Sequence, residues 1–290
     1  MTSFVAVPNV SEGRDPRIIA ELVEAVIRSG PRVVDVHSDP IHNRTVLTVH
    51  GALDECAGAI GSLASTAARL IDLTTHSGVH PTLGALDICP FVEDEGSGDA
   101  VAGIARAAAR AIWDTAGIPV YLYGAAASRR ETRELPDLRR GGLTRLVERS
   151  ARDLPPDVGS GPIDLKTGVV CAGARGVLIA FNVWLPCDVR VASEIARAVR
   201  ADPFTTGVRA LGLDLGEGMS QVSMNLTRPR DSGIDHAFEL VARLASRAGV
   251  EVHGTEIVGV PPERYMPDPN AQAARLLLGP GRSLEAALAG

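Results

Sequence analysis

The stretch Ile71–Phe91, read I-D-L-T-T-H-S-G-V-H-P-T-L-G-A-L-D-I-C-P-F, concentrates groups that can move protons or bind metals. His76 and His80 stand four residues apart, a spacing that on a helix would stack both imidazoles on one face for a metal ion. Gly78 and Pro81 oppose a helix: glycine costs about 1 kcal/mol of helix propensity, and proline disfavours the α conformation in the residue before it. The expectation is an extended loop that presents His80 to a ligand. An imidazole titrates at about 6.5 and is the natural proton acceptor at neutral pH, and a neighbouring carboxylate such as Asp87 would tune it. The same loop also reads as a structural histidine at the start of a strand.

Three further clusters carry polar groups in patterns that chemistry uses. Pro8-Asn9-Val10-Ser11-Glu12-Gly13-Arg14 falls between an apolar run and a helix start, where backbone N–H groups and the positive helix end can hold an anion, although a capping turn has the same composition. Asp35-Val36-His37-Ser38-Asp39-Pro40-Ile41-His42-Asn43-Arg44 gathers carboxylate, imidazole, amide and guanidinium, as a hairpin turn also would. In Gly173-Ala174-Arg175 a guanidinium precedes an apolar strand and could grip a carboxylate through two parallel hydrogen bonds. Residue types alone leave two enzymatic readings open. His37, Asp39, His42, His76 and His80 could form a zinc or manganese site, or one histidine could be the general base of a metal-free transferase.

The elements that must position these groups repeat one order. Phe4–Pro8 reads as a strand, and Asp15 with Pro16 opens a helix to about Ser29 whose apolar residues Ile19, Leu22, Val23 and Val26 recur at helical spacing. Arg32–His37 and Thr45–His50 read as an antiparallel pair, Ala52–Leu70 as a helix and Leu83–Phe91 as a strand. This is the split βαβ plan of ferredoxin-like domains. An acidic glycine-rich loop from Glu93 to Gly98, an alanine-rich helix to Gly117 and the strand Val120–Tyr123 extend it, and Ala125–Gly168 reads as a long crossover. The plan then recurs: strand Gly176–Leu185, helix Val189–Arg200, strands Val208–Leu215 and Met219–Leu226, helix Gly233–Ala248, strand Val250–Val258. A tail with Arg264 and Tyr265 packs back on the core. The expected class is α+β, two ferredoxin-like α/β sandwiches with a ligand groove between them, divided as residues 1–172 and 173–290.

Composition narrows the function classes. With 45% hydrophobic and 22% charged residues over 290 positions, the chain is an ordinary globular one with enough apolar surface for a sizeable core. A formal charge of -6 gives no electrostatic footprint for nucleic acid or an anionic membrane. Aromatics at 3% leave little for base stacking. The run Arg129, Arg130, Arg133, Arg139, Arg140 is a local basic patch that reads as a solvated face. Cys56, Cys89, Cys171 and Cys187 form no C-x-x-C pair and are expected as reduced, mostly buried thiols. No leader or long apolar span is visible, so a soluble cytoplasmic protein is expected.

Recognition goes further than the residue types. Val7-Pro8-Asn9-Val10-Ser11-Glu12-Gly13-Arg14, His42-Asn43-Arg44-Thr45-Val46, Leu70-Ile71-Asp72-Leu73, His76-x-Gly78-x-His80-Pro81 and Gly84-Ala85-Leu86-Asp87-Ile88-Cys89-Pro90-Phe91 resemble the formiminotransferase family of histidine degradation. Val120-Tyr121-Leu122-Tyr123-Gly124, Ala172-Gly173-Ala174-Arg175, Leu178-Ile179-Ala180-Phe181-Asn182 and Ile257-Val258-Gly259 continue the likeness over nearly the whole chain, without the deaminase part of the bifunctional members.

The resemblance implies folate bound between two subdomains of a homodimer. It also implies metal-free transfer of a formimino group from N-formimino-L-glutamate to N5 of tetrahydrofolate, the co-substrate. It makes His80 the base, with Asp35 and His37 orienting it, and assigns Asn9, Ser11, Glu12, Arg44, Gly84, Asp87, Arg175 and Asn182 to substrate or folate. Two positions depart from the family's pattern. Thr82 stands where arginine is common after the His-Pro pair, and His37 stands where a second carboxylate is common. Losing a guanidinium contact removes roughly 1.5–3 kcal/mol, and losing a carboxylate beside the base lowers its pKa. A different formimino or formyl donor, or folate binding without turnover, would also fit these two changes.

Overall fold

Proline cannot donate to a sheet ladder, and the first strand shows the consequence. β1 (Ser3–Ala6) and β2 (Asn9–Val10) form one line interrupted at Val7-Pro8, and both pair with β4 (Arg44–Ala52) and β5 (Leu86–Val92). The Pro8 carbonyl still accepts from the Leu47 amide at 2.9 Å. Asp15 caps α1 (Pro16–Ile27), its carboxylate accepting from the Arg17 amide at 2.8 Å, with Pro16 at the first helical position where its missing N–H costs nothing. β3 (Arg32–Asp39) and β4 make the expected antiparallel hairpin, and α2 (Leu53–Leu70) follows.

The computed structural model describes residues 3–93 and 98–290, so the acidic glycine-rich loop expected at Glu93–Gly98 lies largely outside the described residues. By contact the chain divides into two compact units, Met1–Gly176 and Val177–Gly290.

In the first unit the sheet runs β3, β4, the β1–β2 line, β5, β7 (Val170–Arg175) and β6 (Val120–Gly124). α1, α2 and α3 (Asp99–Ala116) seal one face through Leu22, Val26, Ile60, Leu63, Ala105 and Ile112 against Phe4, Leu47, Val49 and Phe91. The other face is covered at its parallel end. There α4 (Leu135–Arg139), α5 (Gly142–Ser150) and the following chain lay Leu138, Leu146, Leu154 and Ile163 over Tyr121, Tyr123 and Cys171. Strands buried on both faces carry unbroken apolar runs, which is how Val120–Tyr123 and Val169–Ala172 read.

The structure corrects three expectations here. The crossover Ala125–Gly168 holds α4 and α5 rather than unstructured linker. Val170–Arg175 is a strand, inserted between β5 and β6 and parallel to both. The strand expected from Leu83 begins at Leu86, because Leu83–Ala85 turns away to pair with the chain before β7: Val169 donates to Leu83 and Ala85 to Thr167, each at 2.9 Å. Gly84 permits that approach, since a Cβ there would stand 2.0 Å from the Val169 carbonyl oxygen.

The second unit holds β8 (Ile179–Leu185), α6 (Val189–Ala201), β9 (Val208–Gly216), β10 (Met219–Leu226), α7 (Ile234–Arg247) and β11 (Gly254–Val258). Its sheet order is β11-β8-β10-β9, antiparallel throughout. Phe181, Val183, Val222 and Met224 face the helices, so strand alternation turns Asn182, Gln221 and Glu256 to the other side. The first and last strands of the unit in chain order are shorter than expected, starting at Ile179 rather than Gly176 and at Gly254 rather than Val250. The tail carries α8 (Gln272–Arg275) and α9 (Leu284–Ala289) and folds back as expected: Leu278 donates to Thr255 at 2.9 Å and Thr255 to Leu276 at 2.8 Å. Among the described residues no helix is long and apolar enough to cross a membrane.

Candidate functional site

Three turns of the first unit converge because one side chain ties them. Asn43, at φ +48°, adopts the left-handed conformation that asparagine tolerates better than most residues. Its Oδ1 accepts from the Gly13 amide at 3.0 Å and its Nδ2 donates to the Ser77 carbonyl at 3.0 Å. The β2–α1 turn, the β3–β4 turn and the His76–Thr82 loop are thereby held together. Gly78 lies so close that a Cβ would stand 2.3 Å from the His42 carbonyl oxygen.

The recess they enclose is lined by Val10, Ser11, His42, Asn43, Arg44, His76, His80, Thr82 and Asp87, and as folded it leaves a cavity of about 10 Å³, room for roughly one water. Whole-ligand pockets run to about 300–1,000 Å³, so the recess as it stands is closed to a whole ligand. Ser11 stitches its floor, the Ser11 and Thr82 hydroxyls lying 2.6 Å apart and the Ser11 Oγ donating to the Gly84 carbonyl at 2.8 Å.

His80 is the centre of the recess. Its Nε2 faces Arg44 Nη1 at 2.5 Å. A guanidinium only donates, so Nε2 carries the lone pair. A neutral imidazole carries one proton, so it sits on Nδ1. Arg44 thus selects one neutral tautomer. Burial, then the Arg44 and Arg139 charges, then His42, hold its pKa well below the ordinary 6.5, against the opposing pull of the Pro81 carbonyl. His76 is also lowered, chiefly by burial, and its Nδ1 faces Asn43 Nδ2 at 3.2 Å.

The recess carries two guanidinium groups. Arg139, at the end of α4, donates to Asp87 in a short, largely buried ion pair and to the Pro81 carbonyl at 3.1 Å. Arg44 has no carboxylate partner among the described residues. Its only hydrogen bond is to His80, its Nε is sealed and unpartnered, and burial pushes its pKa down to about 10. Asp39, opposite Arg44 across the hairpin, spends Oδ1 on the Ile41 and His42 amides at 2.7 and 2.9 Å.

The structure gathers His80, Ser11, Arg44 and Asp87 from the expected set, with the Gly84 carbonyl beneath them. Asn9 is buried next to Val10, its Nδ2 donating to the Val7 carbonyl at 2.7 Å and its Oδ1 unpartnered. Glu12 uses Oε1 to accept from the Arg14 and Asp15 amides at 2.6 and 2.9 Å, the work of a helix-entry cap. Asp35 and His37 stand on β3 opposite Thr48 and Val46, outside the set lining the recess, and the group hydrogen-bonded to the base is Arg44. Arg175 ends β7, donating to the Gly176 carbonyl at 3.0 Å, and burial lowers its pKa. Asn182 belongs to the second unit and donates to Glu256 at 2.8 Å. Among the described residues no three His, Cys, Asp or Glu side chains come together as a metal site. Arg139 and Asn43 are the participants that residue types did not single out as site residues. Arg139 was visible only as one member of a basic run.

Comparison with known proteins gives this site its context. Residues 3–175 match the model of the formiminotransferase domain, N-terminal subdomain, and residues 180–273 match that of the formiminotransferase domain. The chain is 36% identical over 270 residues to the glutamate formimidoyltransferase of Streptococcus pyogenes, covering 90% of each. It is also 36% identical over 276 residues to that of Thermoplasma acidophilum, covering 92% of this chain and 91% of the relative. Against the formimidoyltransferase-cyclodeaminase of Sus scrofa the identity is 34% over 90% of this chain, which spans 50% of that longer protein. Matched across both of its units, and sharing a third of its residues with such relatives over nine tenths of its length, the chain belongs to the formiminotransferase family.

Proposed function

We propose that this protein transfers the formimino group of N-formimino-L-glutamate to N5 of tetrahydrofolate, releasing glutamate, with His80 as the proton carrier. The observation that carries the reading is the fixed neutral tautomer of His80 at the recess, with Nε2 as its basic atom. N5 attacks the amidine carbon, and Nε2 takes the proton that N5 loses. As the bond to the glutamate nitrogen breaks, the imidazolium returns that proton to the leaving amine. A base with a lowered pKa gives its proton back readily, which suits a transfer that begins and ends with neutral imidazole.

On this reading the amidine reacts at the mouth of the recess beside His80, and the body of folate binds outside it. The fold expected of the family, two ferredoxin-like subdomains with folate in a groove between them, belongs to this reading. The strand order of the second unit and its polar trio Asn182, Gln221 and Glu256 support it. A homodimer working in the cytoplasm on histidine breakdown completes it. The names of the relatives support the donor, and on this reading turnover would make Thr82 and His37 tolerated differences.

The test is turnover of N-formimino-L-glutamate with tetrahydrofolate. The His80→Ala protein should fold as wild type by circular dichroism and lose roughly 10²–10⁴ of kcat. Unchanged turnover in that variant removes His80 from the mechanism.

A further inference from the structure

His80 has one nitrogen able to accept a proton, and in this structure Arg44 already occupies it. Nδ1 carries the proton of the neutral ring. The base is therefore correctly charged but blocked. Arg44, for its part, is a guanidinium with a neutral partner, a sealed and unpartnered Nε and no carboxylate within ion-pair range among the described residues. The carboxylate nearest to hand, Asp87, is taken by Arg139. Asp87 and Asp39 act on the Arg44 charge only from beyond contact, a desolvated cation so placed is costly, and a charge-assisted bond to a carboxylate is about twice as strong as one to a neutral acceptor.

We propose that Arg44 is a carboxylate-responsive latch: an anionic substrate group entering the recess draws the Arg44 guanidinium from His80 Nε2 onto itself, and so exposes the base only when the donor is present. This deepens the formimino-transfer reading, on which it rests, by making a carboxylate of the donor the trigger for catalysis. The shift is attractive on both sides. Arg44 exchanges a neutral acceptor for a charged one, and His80 is relieved of the closest cation facing it. The other groups facing the imidazole are Arg139 from α4 and His42 from the hairpin turn, whose ring centroid lies 6.2 Å away, with Asp87 behind Arg139. None of these holds Nε2, so moving Arg44 alone suffices. Unproductive proton exchange with water at the base is suppressed while the latch is closed.

The experiment follows the His80 imidazole by nitrogen-15 NMR in the full chain, with glutarate as the dicarboxylate probe and its neutral diamide as control. Saturating glutarate should move the His80 titration midpoint up by about one pH unit and change the Nε2 shift, with the diamide doing neither. In Arg44→Met the midpoint should already be raised and glutarate should leave it where it is. Arg44→Lys, which keeps the charge and most of the volume, should restore part of the response and guards against misfolding of the methionine variant. A His80 midpoint in wild type that ignores bound glutarate, or equal glutarate binding by wild type and Arg44→Met, overturns the latch. Because neither folate nor turnover enters the measurement, its failure is separate from failure of the transferase reading, which the turnover assay decides.

Discussion

Keeping His80 neutral has a measurable consequence for stability. A histidine whose folded pKa lies below its unfolded value contributes stability that is present above about 6.5 and is lost as pH falls toward the folded value. His80, and His76 beside it, are lowered chiefly by burial, so acid must protonate them in the unfolded chain before it can do so in the folded one. Wild type should therefore lose stability between pH 6.5 and 5 faster than His80→Gln, whose amide does not titrate. Thermal melts of both proteins at pH 7.5 and 5.0 give the comparison, and parallel losses would show that His80 is solvated enough to titrate normally. That His80 would sit on a loop was legible from Gly78 and Pro81, which rule out the helical reading of the His76–His80 spacing. The group that would touch it was not. Arg44 reaches His80 through a hairpin turn whose residue types fit a surface loop equally well, and the expected orienting pair, Asp35 and His37, stands on β3 outside the residues that line the recess.

Among the elements, α4 does what a linker could not. Arg139 at its end pins Asp87 and the Pro81 carbonyl together, with the carboxylate 3% and the guanidinium 17% exposed. Removing one partner of a largely buried pair strands the other's charge. Arg139→Ala should thus cost about 3–5 kcal/mol, and adding Asp87→Asn to it should cost less than the sum of the two single changes. Urea unfolding of the four proteins of the cycle supplies the coupling energy, and simple additivity would mean the pair is already solvated. The Arg139–Asp87 contact spans 52 positions and sits in an arginine-rich run, so local patterning reads it as a solvated face. Elements with local signals were easier to see. α1 announced itself by Asp15, Pro16 and its apolar spacing, and the β3–β4 hairpin by its alternation. β7 had no such signal, since its partners Ile88 and Tyr121 are distant in sequence and its residues Cys171, Ala172, Gly173 and Ala174 carry little preference for a strand.

Across the whole molecule the thiols report on the integrity of the core. Cys56, Cys89 and Cys171 are buried among apolar side chains and burial raises all three pKa values, that of Cys56 to about 12, while Cys187 is half-buried at the start of the turn into α6. A thiolate reagent at neutral pH should modify Cys187 alone in the native protein and all four cysteines in denaturant. Modification of a second cysteine without denaturant would mean that the first unit opens locally.

The position of β7 also fixes the order in which the first unit can be finished. β5 and β6 are both made earlier, yet they do not pair with each other, and each is hydrogen-bonded to β7. A nascent chain that stops before Val170 therefore has β6 with no strand to join, and the α4 segment carrying Arg139 has only part of its floor. The groups around His80 emerge early in synthesis, but the ion pair that steadies their loop depends on the closing strand, so on the ribosome the competent site is a late event rather than an early one.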